Sequence, residues 1–167
     1  MKRLLLIAAV CLVPLVCKPG LAQEKATARE AYEKVAAAAA YLAKAGEDGI
    51  ASLGDPDKQF IWKDSYVWVA RCESNSCFPN PRARAARLLI SEAKCFKTGK
   101  LYILDLCDRV EDPNGAWTIF YRQDPETKAV QRRVAYMRQV PGQTFQVVAS
   151  VGDETISMSG LEKISTK

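Results

Sequence analysis

The chain contains no histidine. That absence removes imidazole acid–base catalysis, Ser-His-Asp and Cys-His pairs, and imidazole metal ligands. Acidic residues are missing from the first 22 positions, where Lys2, Arg3 and Lys18 are the only charges. Taking those three from the 24 basic residues leaves 21 against 19 acids, so the remainder is nearly neutral and offers no basic face for nucleic acid. Glycine-rich phosphate loops and calcium-loop spacings are also lacking. Glycine and proline are absent between Gln23 and Ala45, which leaves nothing there to interrupt a helix. What is present is ordinary for a globular protein: 167 residues, 49% hydrophobic and 26% charged, enough for one domain.

The N-terminus reads as an export signal. Lys2-Arg3 forms a positive start, and Leu4 to Val16 is an apolar run interrupted only by Pro14. Such a run, about 13 residues, is short for a hydrocarbon core ~30 Å thick. Gly20-Leu21-Ala22 then supplies small residues at the −3 and −1 positions, so cleavage is expected after Ala22. Residues 1–22 are thus a signal peptide and residues 23–167 a single periplasmic or secreted domain, with no transmembrane segment expected in the mature chain.

Cys11 and Cys17 leave with the signal, and Cys72, Cys77, Cys95 and Cys107 remain. Four thiols in an exported protein read as two disulfides, with three connectivities open. Spacings of C-x4-C and C-x11-C without histidine do not suit zinc, so no metal is expected. Glu73-Ser74-Asn75-Ser76 has the composition of a turn between two β segments, which favours Cys72–Cys77 across a hairpin. Cys95–Cys107 follows by elimination.

Ala28, Tyr32, Val35, Ala39 and Leu42 trace one helical face. Thr27 and Glu30 are spaced as a capping box, and Gly46 ends the helix. Glu47 to Leu53 allows one further turn. Tyr66 to Cys72 reads as a strand, Arg82 to Ala93 has helical composition, and Leu101 to Val110 suits either state. Turns at Asp112-Pro113-Asn114-Gly115, Asp124-Pro125-Glu126-Thr127 and Pro141-Gly142 separate strands at Ala116–Arg122, Val130–Val140 and Phe145–Val151. Short connections imply antiparallel pairing. The fold class is therefore α+β: a long N-terminal helix packed on an antiparallel sheet, with short flanking helices.

The order and spacing of several segments resemble a known family. They are Asp55-Pro56-Asp57-Lys58-Gln59-Phe60, Asp64-Ser65-Tyr66-Val67-Trp68-Val69, Gly115-Ala116-Trp117-Thr118-Ile119-Phe120-Tyr121, and Tyr136-Met137-Arg138-Gln139-Val140-Pro141-Gly142. Together they look like the single Cache domain, the extracytoplasmic PAS-like sensor of bacterial chemoreceptors, over about residues 28–155. The family's first hairpin usually ends in His-Pro, where this chain has Phe78-Pro79. The resemblance implies a PAS-like sheet with a small-molecule pocket on one face, here standing alone after a signal peptide, with a membrane-bound signalling protein as a possible partner.

Strand alternation nominates the lining. Tyr66 and Trp68 share a face of one strand, Trp117 and Tyr121 of another, and Tyr136 and Arg138 of a third. An aromatic box with one guanidinium suits a small carboxylate or amino acid, because arginine grips a carboxylate through two hydrogen bonds. No catalytic constellation accompanies it. The serines have no histidine base, and Asp105 and Asp108 read as solvated face residues, so neither catalysis nor a cofactor is expected. The function expected is binding or sensing of a small molecule. The alternative is a structural or interaction module that keeps the fold without a working pocket.

Overall fold

A computed structural model describes residues 24–78 and 88–166, so the expected export signal and part of the Arg82–Ala93 segment lie outside the described residues. Helix α1 spans Ala28–Ala45, and the capping box is present in full: the Thr27 hydroxyl accepts from the Glu30 amide while the Glu30 carboxylate accepts from the Thr27 amide. Gly46 ends it at φ 63°, its amide donating to Leu42 O. A 3₁₀ helix at Glu47–Gly54 realises the extra turn.

Strands β1 (Ile61–Trp62), β2 (Ser65–Arg71), β3 (Ser76–Phe78) and β4 (Leu88–Leu89) come next, and a short 3₁₀ turn follows at Ile90–Glu92. After them come helix α2 (Tyr102–Cys107), strands β5 (Ala116–Gln123), β6 (Val130–Gln139) and β7 (Gln146–Gly152), and helix α3 (Met158–Ser165). The sheet runs β4-β3-β2-β7-β6-β5, every described pairing is antiparallel, and β1 pairs with β2. The α+β class is as expected. Leu88–Ala93 departs from its helical composition because Ser76 and Cys77 pair with Leu89 and Leu88, and Ile90 is fully buried. Tertiary pairing overrides local propensity there. Leu101–Val110 resolves into α2, whose Ile103 and Leu106 are buried.

Inserting β7 between β2 and β6 gives the sheet two buried faces. On the inner face, Val67, Val69, Trp117, Val134, Tyr136, Val147, Ala149 and Val151 pack against Ala31, Val35, Ala38 and Leu42 of α1. Alanine on the helix lets its backbone approach the sheet closely, and the larger side chains fill from the strands. Helix α3 adds Leu161 and Ile164 to this core, with Ser157 capping its start. On the outer face, Trp68, Ala70, Cys77, Phe120, Ala135, Met137 and Val148 pack against Ile90, Cys95, Ile103 and Leu106.

Candidate functional site

The six side chains nominated as one box are divided between the two faces. Trp117 and Tyr136 lie in the inner core, their rings 4.6 Å apart, and Tyr32 of α1 packs against Tyr136 at 5.2 Å with the planes tilted by 55°. The Tyr136 hydroxyl donates to Asn114 O, and burial pushes its pKa up to about 12. Gly115 permits this approach: its φ is +70°, and a Cβ there would lie 2.5 Å from both Met137 O and the Tyr136 hydroxyl. Arg138 is half-buried and shares the face of Tyr136 by alternation. Tyr66 and Trp68 belong to the outer face. Tyr121 also packs against the outer cluster, under the Lys97 ammonium at 3.8 Å.

The pairing of Cys72 with Cys77 is corrected by the structure, which joins Cys72 to Cys107 with the Cα atoms 5.6 Å apart. The hairpin register explains why. Cys77 lies opposite Ala70 and Ser76 opposite Arg71, so Cys72 is diagonal to Cys77. Diagonal neighbours are about 7–8 Å apart between Cα atoms, at or beyond the reach of a disulfide. The bond instead ties the end of β2 to the end of α2. Cys95–Cys107 falls with it. Cys95 is a buried thiol whose sulfur accepts from the Tyr121 amide at 3.4 Å. Burial works to raise its pKa, but hydrogen bonds from Thr98, Tyr121 and Lys97 outweigh it and hold the thiol below its usual value. Cys77, by contrast, is pushed up to about 11, first by burial and then by Glu92. Among the described residues, no three or more cysteine, aspartate or glutamate side chains gather as a metal-ion site.

Sequence reasoning missed the side chain that makes the outer face chemically distinctive. Arg133 on β6 alternates with Val134 and so turns outward, opposite Phe120 of β5 and within electrostatic reach of Tyr66 of β2. Its Nη2 donates to Ser150 O at 2.8 Å and meets Ser150 Oγ at 3.4 Å, and its Nε is buried without an acceptor. Among the described residues no carboxylate forms an ion pair with it. Burial lowers its pKa, and the neighbouring Arg122 lowers it further; Asp64, Tyr66 and Tyr102 act in the opposite sense. Tyr102 of α2 stacks on Phe120 with centroids 3.9 Å apart and planes 5° from parallel, which closes one side. Ala135 and Ser150, both small and paired across β6 and β7, keep the sheet low beside the guanidinium.

The signal that could have found Arg133 is the strand period itself. It lies an odd number of positions from Val134 and Tyr136, so it must project away from whichever face they occupy.

Asp105 holds α2 in place over this face. Its carboxylate accepts from Thr118 Oγ1 at 3.0 Å and pairs with Lys100 at 2.6 Å and Arg109 at 2.9 Å. A separate open cleft of about 520 Å³ lies between the loop after α2, the start of β5 and α3. None of Tyr66, Tyr102, Arg122 or Arg133 lines it. Among the described residues no helix is long and apolar enough to cross a membrane.

No protein-family model matches the sequence, and no curated protein matches it. Solved structures do match. A periplasmic sensor domain of a chemotaxis protein is 16% identical, with 75% of this chain and 90% of that chain covered, at a TM-score of 0.49. A Cache chemosensory domain, solved to give the structural basis of its carboxylic acid recognition, is 12% identical, with 75% of this chain and 88% of that chain covered, at a TM-score of 0.50. At such identities the likeness is one of fold.

Proposed function

With the fold of a Cache sensor domain as premise, we propose that this chain is an exported, non-catalytic binding module for a small carboxylate, held on the outer face of the sheet by Arg133. The single observation that carries this reading is the guanidinium itself: half-buried, unpaired with any described carboxylate, and with its Nε buried and unsatisfied. Desolvating part of a cation without a counter-ion is costly, and a ligand carboxylate would supply both the charge and the missing acceptor. Tyr66 and Trp68 remain proposed walls, joined by Tyr102 and Phe120. Arg133 takes the anchoring role expected of Arg138, while Trp117 and Tyr136 support the sheet from behind. The neighbour's recognition of a carboxylic acid agrees with this chemistry. The Cys72–Cys107 bond suits an oxidising, extracytoplasmic compartment, in keeping with a cleaved leader ending at Ala22.

One observation favours the alternative of an interaction module without a ligand: the Tyr102 ring lies flat on Phe120 and occupies space above the sheet. Thermal shift against a panel of carboxylates and amino acids separates the two. A ligand at a hundred times its Kd stabilises by about 2.7 kcal/mol, well within detection. Arg133→Ala is expected to cost on the order of 2–5 kcal/mol of binding, roughly 30- to several-thousand-fold, with Arg133→Lys intermediate because lysine keeps the charge but not the planar fork. Far-UV circular dichroism checks that both variants are folded. Undiminished affinity in folded Arg133→Ala overturns the anchor, and no stabilisation by any compound leaves the interaction module.

A further inference from the structure

The open cleft beside α3 has a chemistry that carboxylate binding leaves unused. It lies at the β5 end of the sheet, and four carboxylates line it: Asp108, Glu111 and Asp112 from the loop after α2, and Glu162 from α3. All four are exposed, and none forms an ion pair among the described residues. The Asp112 carboxylate accepts from the Asn114 amide at 2.8 Å, which fixes its position and leaves its charge uncompensated. Arg109 is the cation among the lining residues, and it is already committed: its Nη2 donates to the Asp105 carboxylate at 2.9 Å and to Trp117 O at 2.7 Å. Lys163 on α3 and Arg138 on β6 do not line the cleft, and neither forms an ion pair among the described residues.

The second feature is Trp117. Its side chain belongs to the inner face, where Leu161 and Ile164 of α3 also pack, so the indole projects to the α3 side of β5, where the cleft lies. Trp117 is 2% exposed, and its Nε1 is buried with no acceptor. An indole nitrogen can only donate, so this buried group lacks an oxygen. Met158, which also lines the cleft, is an unbranched thioether of the kind that repacks readily to admit one.

The acids require positive charge, and the indole requires an acceptor that is not a further anion. A free amino acid would bring its carboxylate into an acidic site. A polypeptide with lysine or arginine supplies cations on long apolar stems together with uncharged backbone carbonyls. We propose that the cleft is a docking surface for a basic segment of a partner protein. A lysine or arginine side chain enters between Glu162 and the acids of the loop after α2, its stem along Met158, and a neighbouring backbone carbonyl accepts from Trp117 Nε1. At about 520 Å³ the cleft has room for such a side chain and the peptide unit beside it. The surface is independent of Arg133 and of any small molecule on the outer face.

Isothermal calorimetry with three probes tests this: the blocked peptide acetyl-Ala-Lys-Leu-Lys-Ala-amide, its counterpart with glutamate in place of both lysines, and free lysine. The lysine peptide is expected to bind, and to bind more weakly at about 0.5 M salt than at about 0.05 M, because exposed charges are screened. The glutamate peptide should not bind, and free lysine should bind about tenfold more weakly than the lysine peptide. Glu162→Gln, an exposed change, should weaken the lysine peptide by up to about fivefold, the range of one solvent-exposed ion pair, and adding Asp108→Asn should weaken it further. Trp117→Phe keeps a ring and removes the donor, and should weaken it by about two- to tenfold. Should that core variant fail to fold, the paired acid variant decides alone. No binding of the lysine peptide, equal binding of the glutamate peptide, free lysine as tight as the peptide, or unchanged affinity in the paired acid variant each overturns the proposal. None of these results touches carboxylate binding at Arg133, which the thermal-shift panel reads separately.

Discussion

The two faces of the sheet are built on different physical terms. The inner face is almost wholly apolar, and α1 covers it along its length: Val35, Leu42, Val134, Val147 and Val151 are fully buried there. The outer face mixes Trp68, Phe120 and Met137 with a disulfide, two buried thiols, a half-buried arginine and an ion-paired aspartate. Its cover is a six-residue helix and irregular chain. A short helix has little stability of its own, so α2 depends on what ties it down. The inner face carries the stability of the domain by burial, and the outer face is held by a few specific bonds around groups that apolar packing alone would not tolerate. That contrast is the reason the proposed ligand site is placed on the outer face.

The largest expected effect comes from the inner face. Phe145 is 1% exposed in that core, with the Arg71 guanidinium over its ring. Phe145→Ala should cost about 3–5 kcal/mol in urea unfolding, and the affinity of any outer-face ligand should be unchanged in the folded fraction. A loss below about 1 kcal/mol would mean that α1 and its sheet face are not the main store of stability.

Next comes the covalent tie. Replacing Cys72 and Cys107 together by serine removes a link across 35 positions, which the chain-entropy account values at about 3–4 kcal/mol. Amide exchange should rise first in α2 and the chain around it, with α1 remaining protected. Equal loss of protection in α1 would erase the distinction between the faces.

The smallest effect belongs to Asp105. Burial works to raise its pKa, but Lys100, Thr118 and Arg109 outweigh burial and hold it below the ordinary carboxylate value. A depressed folded pKa stabilises above the unfolded value of ~3.9 and loses that contribution as pH falls through the folded value. Asp105→Asn should therefore cost up to about 1 kcal/mol near neutral pH, because the site is partly solvated, and the difference from wild type should shrink as pH falls below about 4 and vanish only below the depressed folded value. A difference that grows in acid would contradict the assignment of these bonds.

Much of the fold was legible because it rests on local chemistry. Thr27 and Glu30 announce the start of α1, Gly46 its end, and Asp112-Pro113-Asn114-Gly115 the turn into β5, whose Gly115 occupies a backbone conformation that other residues resist. Helix α3 was missed, although Ser157 followed by Leu161 and Ile164 carries a cap and a helical repeat. It is short, and its burial comes from α1 and β5, which are remote in sequence. The site was legible only strand by strand. The two-residue period puts Tyr66 and Trp68 together, and both pack on the outer face, but it also pairs Trp117 with Tyr121, which the structure divides between the inner and outer clusters, and it does not say which set faces which on the neighbouring strands.

By itself, then, the sequence determined the α+β class, the antiparallel connections, the long capped helix and the exclusion of imidazole chemistry. Each of these follows from residue identity and from spacing within a few positions. Tertiary structure alone decided which face each strand turns to α1, that Cys72 meets Cys107 across a hairpin register that keeps Cys77 diagonal, and that Arg133 holds its Nε buried without an acceptor. Those outcomes depend on β7 entering between β2 and β6. That register is set by the burial of both faces at once, and no single segment carries it.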